Sequence, residues 1–389
     1  MDLSPKILQE LPYDGHLILY HQVSSQLYAL NETGQLIWKF YKKGLDKESI
    51  ANKLVSEFFI PYDLALNDVE KCLSSWKHAD FFKTSYQSDG YPQQLASKAT
   101  IVSTPAQSEL TSWYSSHYFS LTGRTIKVSF GDPELEVILL PVLNHLKVEG
   151  RNRAYKSYKI WHEGGSYFVV IGNDKAHSTK SLYEAIGWIL FDLADQTYRD
   201  RDCMAVLHGG AVRKDDYALI ISGSKSCGKS TLIAALQHDG FEFLCDDVCP
   251  LDKQGQLLPL PMSQRLKAGS WTVLEHLYPS IAQLPIHTPL DCQVKYLPPI
   301  TGGPASWNRA WPVEGLIFPV FQQGVSAELT RLSPLEALKF LVNSSRHGSG
   351  CIRSLLKWLE NNKCFIIKYS NLSEARDYIS TITNQIVQG

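Results

Sequence analysis

The sequence has no apolar run near the roughly 20 residues that a membrane helix needs. Its longest, around 137–143 and 218–221, are strand-sized. It has no surplus of basic charge, since 38 Lys and Arg stand against 39 Asp and Glu for a formal net charge of -1. A protein held to nucleic acid by phosphate neutralisation carries such a surplus, so neither nucleic acid nor membrane is an expected partner. The start, Met1-Asp2-Leu3-Ser4-Pro5-Lys6, lacks a basic region followed by a long apolar stretch, and no signal peptide is read there. The eight cysteines, at 72, 203, 227, 245, 249, 292, 351 and 364, form no close CxxC pair. Reduced thiols in a cytoplasm are expected. Cys245 and Cys249 are four apart, but no His-x-His or second cysteine pair completes a zinc site. There is no internal repeat and no low-complexity tract.

What is there is ordinary globular material, 44% hydrophobic and 20% charged over 389 residues, enough for two or three domains with real cores. In residues 1–88, stretches 16–20 and 26–30 read as two strands around a polar turn at Ser24-Ser25. A helix is expected over 46–58, with Ile50, Leu54 and Phe58 on one face. A second is expected over 67–79, with Val69, Cys72, Leu73 and Trp76 inward and Asn67 and Glu70 as a capping pair. Together these make a winged-helix-like α+β module. The polar stretch 84–108 reads as a linker, assigned to 89–108. Residues 109–200 form a mixed α+β subdomain. It has a strand at 124–130, a hairpin over 158–171 turning at Gly164-Gly165, and a helix over 181–199 opened by Ser181 and Glu184. From 201 to 389, short apolar strands alternate with helical stretches, the pattern of an α/β domain with a buried sheet.

The strongest chemical signal lies in that last segment. Gly223-Ser224-Lys225-Ser226-Cys227-Gly228-Lys229-Ser230 fits G-x-x-x-x-G-K-[ST] in full, and Thr231 follows. A strand-like run over 217–222 precedes it and a helical run over 230–236 follows. Glycines at 223 and 228 let backbone N–H groups turn inward around an anion, and the helix N-terminus adds positive potential. Lys229 would reach the β- and γ-phosphates of a nucleotide, and Ser230 would place its hydroxyl on Mg²⁺. Asp246-Asp247 ends the apolar run 243–245; adjacent carboxylates at a strand end suit Mg²⁺ binding and general-base work. His208, before Gly209-Gly210, lies just ahead of the loop strand.

These three features together resemble the HPr kinase/phosphorylase family and its broader relatives. His208 to Lys229 is 21 residues and Lys229 to Asp246 is 17, spacings that match the family pattern. The resemblance covers about 203–260 and implies a P-loop kinase domain using ATP and Mg²⁺. By it, one of Asp246 and Asp247 would deprotonate a substrate hydroxyl and the other, assigned as Asp247 with Ser230, would hold Mg²⁺. His208 would support the pair or the phosphoryl group. Gly228-Lys229-Ser230-Thr231 stands where the family commonly has Gly-Lys-Ser-Glu, and the later glycine-rich signature is missing. These departures argue against HPr itself as the substrate and against the reverse, phosphorylase activity. Arg265, Lys267 and Lys295 are candidate later phosphate contacts. Related kinases assemble into rings, and oligomeric state is left open.

Leu27-Tyr28-Ala29-Leu30-Asn31-Glu32-Thr33-Gly34, followed by Ile37-Trp38, resembles the core of the peptide chaperone of pyrroloquinoline quinone biosynthesis (PqqD). This fold is also called the precursor-peptide recognition element, and the resemblance spans about 15–83. It implies that a leader peptide adds as a strand to an exposed sheet edge. The expectation is a fused enzyme, an ATP- and Mg²⁺-dependent kinase for a Ser or Thr hydroxyl of a captured precursor peptide. The alternatives are a kinase for a small-molecule hydroxyl and a non-enzymatic, nucleotide-gated peptide scaffold.

Overall fold

The computed structural model describes residues 8–21, 26–78, 100–101, 113–149, 154–199, 201, 203–224, 226–289, 292–342 and 352–387. The chain divides into two compact units, Met1–Asp89 with Ser349–Arg353, and Gly90–Gly348 with Ser354–Gly389. Among the described residues no helix is long and apolar enough to cross a membrane.

The first unit begins with three antiparallel strands, β1 (Leu8–Tyr13), β2 (His16–His21) and β3 (Gln26–Leu30), in that order. Asp14 and Gly15, with φ of 45° and 73°, make the two-residue turn that joins β1 to β2. The turn expected at Ser24-Ser25 lies outside the described residues. Helices α1 (Glu32–Lys42), α2 (Lys47–Phe58) and α3 (Tyr62–His78) follow. Asn31 and Asp46 cap α1 and α2 by accepting from the N–H groups of Gly34 (3.0 Å) and Ser49 (2.7 Å). Two corrections concern this unit. β1 and α1 are additional to the elements expected from the sequence. The last helix starts at Tyr62 rather than 67, so Asn67 is an interior residue and not a cap. The Ala65 N–H bonds back to Pro61 (3.1 Å), and Ala65 is fully buried on the same face as Val69 and Trp76. Trp38 and Trp76 meet edge to face at 5.2 Å within a core that includes Leu19, Leu30, Ile37, Ile50 and Leu54.

The second unit opens with β4 (Thr100–Ile101), β5 (Ser115–Leu121), β6 (Arg124–Phe130), α4 (Pro133–Leu143), β7 (Lys147–Val148), β8 (Lys156–Glu163), β9 (Ser166–Ile171), β10 (His177–Thr179) and α5 (Leu182–Arg199). The strands form one sheet in the order β4-β10-β9-β8-β6-β5-β7, parallel only at β6/β8. The apolar run 137–143, strand-sized in sequence, is helical instead. Pro133 opens α4 and Glu134 and Glu136 occupy its first turn, all favourable at a helix N-terminus. Within the stretch read as a linker, Thr100 and Ile101 pair with Ser178 and His177 as the edge of this sheet. The rest of that stretch lies outside the described residues.

The remaining elements are β11 (Ala205–Leu207), β12 (Gly209–Lys214), β13 (Tyr217–Ser222), α6 (Lys229–His238), β14 (Glu242–Cys245), β15 (Cys249–Leu251), β16 (Gln264–Lys267), α7 (Ala268–Glu275), β17 (Val294–Leu297), α8 (Pro304–Trp307), β18 (Val313–Phe321), β19 (Glu328–Leu332), α9 (Pro334–Val342), α10 (Ile352–Glu360), β20 (Lys363–Tyr369) and α11 (Leu372–Val387). A six-stranded mixed sheet runs β14-β12-β13-β18-β20-β19. β13, β18 and β20 are mutually parallel, and β12 is antiparallel to both β13 and β14. The C-terminal ends of β14, β13, β18 and β20 therefore share one edge. β13 is buried along its whole length and joins α6 and α11 in one core, through Leu219, Ile221, Leu232, Leu236, Ile367 and Ile379. The molecule is thus mixed α/β, and ligands of such sheets bind outside the carboxyl ends of the parallel strands.

Candidate active site

The buried strand β13 delivers the chain to a loop at that edge. Gly223, Ser226 and Gly228 have φ of 150°, 64° and 94°. A Cβ on Gly228 would lie 2.8 Å from the Tyr369 hydroxyl, so position 228 requires glycine for space as well as for backbone. Helix α6 then starts at Lys229 with no side-chain cap, leaving the N–H groups of its first turn unsatisfied by the helix itself. Lys229 is buried, and its Nζ donates to the carbonyls of Gly223 (3.0 Å) and Ser224 (2.8 Å), folding the ammonium across the loop mouth. Lys225 lies outside the described residues.

β14 ends beside this loop, and its last residue is followed by the acidic pair. Both Asp246 carboxylate oxygens are buried, without a hydrogen bond of good geometry among the described residues. Burial, and then the neighbouring Asp247 charge, push its pKa up to about 7, while the nearby Ser230 hydroxyl and Gln264 amide act the other way. Gln264 is itself held, its Nε2 donating to the Ser230 carbonyl (2.8 Å) and its Oε1 accepting from Gln237 (3.3 Å). Asp247 is exposed, in the left-handed region at φ 69°. Its carbonyl accepts from His208 Nδ1–H at 3.0 Å. The His208 carbonyl accepts from the Ser222 hydroxyl (3.0 Å), tying the histidine to the loop strand.

The glycines after His208 explain how close these parts come. A Cβ on Gly210 would meet Ile233 Cδ1 at 2.1 Å, the Cys245 carbonyl at 2.9 Å and Asp246 Oδ1 at 3.0 Å. One on Gly209 would meet the Ile221 carbonyl at 2.5 Å. His208, Lys229, Ser230, Asp246 and Asp247 thus converge at one end of the sheet.

The three later basic residues divide. Lys295 is buried, its Nζ donating to the Ile281 (2.6 Å) and Ala282 (3.2 Å) carbonyls under the Trp271 ring. It closes a helical turn and is not available to a phosphate, which corrects the sequence expectation. Lys267 is exposed at the end of β16. Arg265 lies across from Tyr296, and its Nε is buried with no partner among the described residues. Burial raises the Tyr296 hydroxyl pKa, Arg265 lowers it, and Tyr183 and Asp247 raise it further, so these four groups share one electrostatic neighbourhood. Tyr183 comes from α5, and its hydroxyl accepts from the Thr288 N–H (3.0 Å). Gln264, Tyr183 and Tyr296 are not among the site residues expected from the sequence; they approach the acidic pair only through folding.

The residues present suit a magnesium ion shared with phosphates. Mg²⁺ is bound through one or two carboxylates plus phosphate oxygens and water, not by an all-protein cage. Asp246 supplies an orphaned carboxylate next to Ser230. Among the described residues no group of three or more His, Cys, Asp or Glu could hold a metal unaided. Cys245 and Cys249 are buried free thiols with their sulfurs 3.4 Å apart.

Residues 16–81 match the family described as Coenzyme PQQ synthesis protein D (PqqD), so the chain carries a PqqD domain at its N-terminal end, as the sequence resemblance implied. Among solved structures, the Hpr(Ser) kinase/phosphatase from Coxiella burnetii is similar at 13% identity, over 46% of this chain and 98% of that one, with a TM-score of 0.22. No curated protein matches the chain.

Proposed function

We propose that this chain transfers the γ-phosphoryl group of ATP to a Ser or Thr hydroxyl of a ribosomally made precursor peptide, captured through its leader by the PqqD domain. The observation that carries the reading is the buried Asp246 carboxylate beside Ser230, its oxygens without a hydrogen bond of good geometry, just past the end of β14 and near an uncapped phosphate loop. A buried charge without a partner is costly, and such groups persist where a ligand completes them.

The N–H groups of the loop and of the first turn of α6 cradle the phosphates. Lys229 exchanges its two carbonyl partners for phosphate oxygens. Asp246 and Ser230 would hold the magnesium ion, a role the family resemblance gives to Asp247 with Ser230. When bound, the ion neutralises charge on the transferring phosphoryl group. Asp247, exposed at the rim, takes the proton of the acceptor hydroxyl as its oxygen bonds to the γ-phosphorus, and the bond to the β-γ bridging oxygen breaks to release ADP. His208 holds Asp247 through its carbonyl. Arg265 and Tyr296 flank the acceptor's approach. The PqqD domain raises the local concentration of the core peptide to the millimolar range.

The test is intact-mass spectrometry of the precursor peptide encoded beside this gene, incubated with protein, Mg²⁺ and ATP. A gain of one phosphoryl group (about 80 Da) that requires Lys229, Asp246 and the leader is expected. No mass change with nucleotide still bound would overturn the peptide-kinase reading in favour of a small-molecule acceptor or a nucleotide-gated scaffold.

A further inference from the structure

The acidic pair occupies one side of the phosphate loop, and the other side carries an aromatic step that the reaction above does not use. The sheet order puts β14 and β12 on one flank of β13, and β18 and β20 on the other. Asp246 and His208 therefore belong to the first flank. Phe321 and Tyr369, the last residues of β18 and β20, are paired in register on the second. Tyr369 is buried, and its hydroxyl abuts Gly228 of the loop. Phe321 meets the Tyr369 ring edge to face at 5.9 Å, yet 57% of the residue is exposed. The Gln322 N–H bonds to the Tyr369 carbonyl (2.9 Å), which fixes the backbone just beyond Phe321. Pro319, two residues back on β18, lies about van der Waals distance (4.0 Å) from where a Gly223 Cβ would be. The chain thus steps outward from the loop through a buried ring to an exposed one.

An exposed phenyl group alone is unremarkable; its place decides the matter. A nucleotide held by its phosphates in the loop, with its γ-phosphoryl directed at Asp246 and Asp247, must extend its ribose and base the other way, along the carboxyl ends of β18 and β20. We propose that Phe321, backed by Tyr369, is the stacking surface for the nucleobase. This rests on the nucleotide reading of the loop and adds the flank on which the base lies and the side chain that receives it. Every base has a π-face, so this contact supplies affinity while leaving the choice among bases to other groups.

The experiment titrates the full chain with Mg²⁺-ATP and, separately, with Mg²⁺-tripolyphosphate by calorimetry, for the wild type, Phe321→Ala and Phe321→Trp. Phe321 is exposed at a strand end, so neither substitution disturbs the core. Phe321→Ala is expected to weaken ATP at least about fivefold and to leave tripolyphosphate unchanged; Phe321→Trp is expected to restore or tighten ATP. Wild-type affinity of Phe321→Ala for ATP would overturn the base site and leave the loop assignment standing. Equal weakening of both ligands would also overturn it, because the effect would then lie in the loop. A wild type that binds neither ligand would overturn the nucleotide reading and this inference with it.

Discussion

Gly210 shows how one missing side chain shapes this site. Three atoms from α6, β14 and the acidic turn occupy the space its Cβ would need, and two of the three belong to residues 245 and 246. The Cys245 carbonyl is backbone and cannot rotate away. Gly210→Ala is therefore expected to destabilise the protein by about 1–3 kcal/mol, the usual cost of overpacking, and to lower turnover more than stability, because the displaced atoms include Asp246 Oδ1. Urea denaturation beside steady-state kinetics would check this; wild-type turnover in a folded Gly210→Ala variant would refute it. Asp246 gives a second prediction. A carboxyl group whose folded pKa is raised binds its proton more tightly folded than unfolded. Its contribution to stability is fully present below the unfolded value of 3.8 and is lost as pH rises towards about 7. Without metal, Asp246→Asn should therefore raise Tm by several degrees at pH 8 and have little effect at pH 4. Equal Tm differences at the two pH values would contradict the burial of an ionising Asp246. Added Mg²⁺-nucleotide should narrow or reverse the order at pH 8, since the wild type gains more of the ligand's stabilisation.

The helices of the first unit show why a family motif reads as it does. Asn31 caps α1, and a Cβ on Gly34, the residue whose N–H it receives, would come within 3.2 Å of Leu30 Cβ. The Leu-Asn-x-Thr-Gly pattern is thus a strand-to-helix junction, and its residues serve the fold before any peptide arrives. Asn31→Ala should cost about 1 kcal/mol of stability, and Asn31→Asp should retain most of it; thermal melts would distinguish them. At the end of α2, Phe59 is left-handed at φ 54°, ψ 38° and 92% exposed. Phe59→Gly should stabilise by up to about 1 kcal/mol by removing the Cβ penalty at a helix C-terminus. A loss of stability would show that the exposed ring has a partner in solution. The missed start of α3 belongs to this scale as well. Periodicity found the face carrying Val69 and Trp76, but the helix begins where Pro61 allows, one turn before Asn67.

On the scale of the whole molecule, the seven-stranded sheet acquires a role that its sequence did not disclose. Its helix α4 is joined to the segment carrying Gln264 and Arg265 by hydrogen bonds from Ser263 to the Val142 (3.0 Å) and Pro141 (2.7 Å) carbonyls. His145 adds one to the Pro261 carbonyl (2.5 Å). Its helix α5 contributes Tyr183 near Tyr296 and Asp247. We expect Tyr183→Phe to preserve ATP binding and to raise the KM for the acceptor, measured with peptide varied at saturating ATP. If recognition and catalysis are carried by separate parts of one chain, a leaderless peptide should also be modified slowly at micromolar concentration and recover rate at millimolar concentration. Equal rates for leaderless and full-length peptide at micromolar concentration would contradict tethering.

By itself the sequence determined what depends on neighbours along the chain. The glycine-rich loop between its strand and helix, the Gly164-Gly165 hairpin, the helix opening at Ser181 and the PqqD pattern are legible in it, because turns, caps and periodicity are written within a few residues. Only the tertiary structure decided which distant groups meet. Lys295 looked like its neighbours Arg265 and Lys267 until folding placed two carbonyls at its ammonium. Asp246 and Asp247 are adjacent in sequence, yet one is buried against Ser230 and the other exposed, because a left-handed backbone at Asp247 turns the chain there. Phe321 and Tyr369 are 48 positions apart and become partners through a parallel strand pair. Such contacts follow from strand order and register, which are set by the burial of the whole sheet.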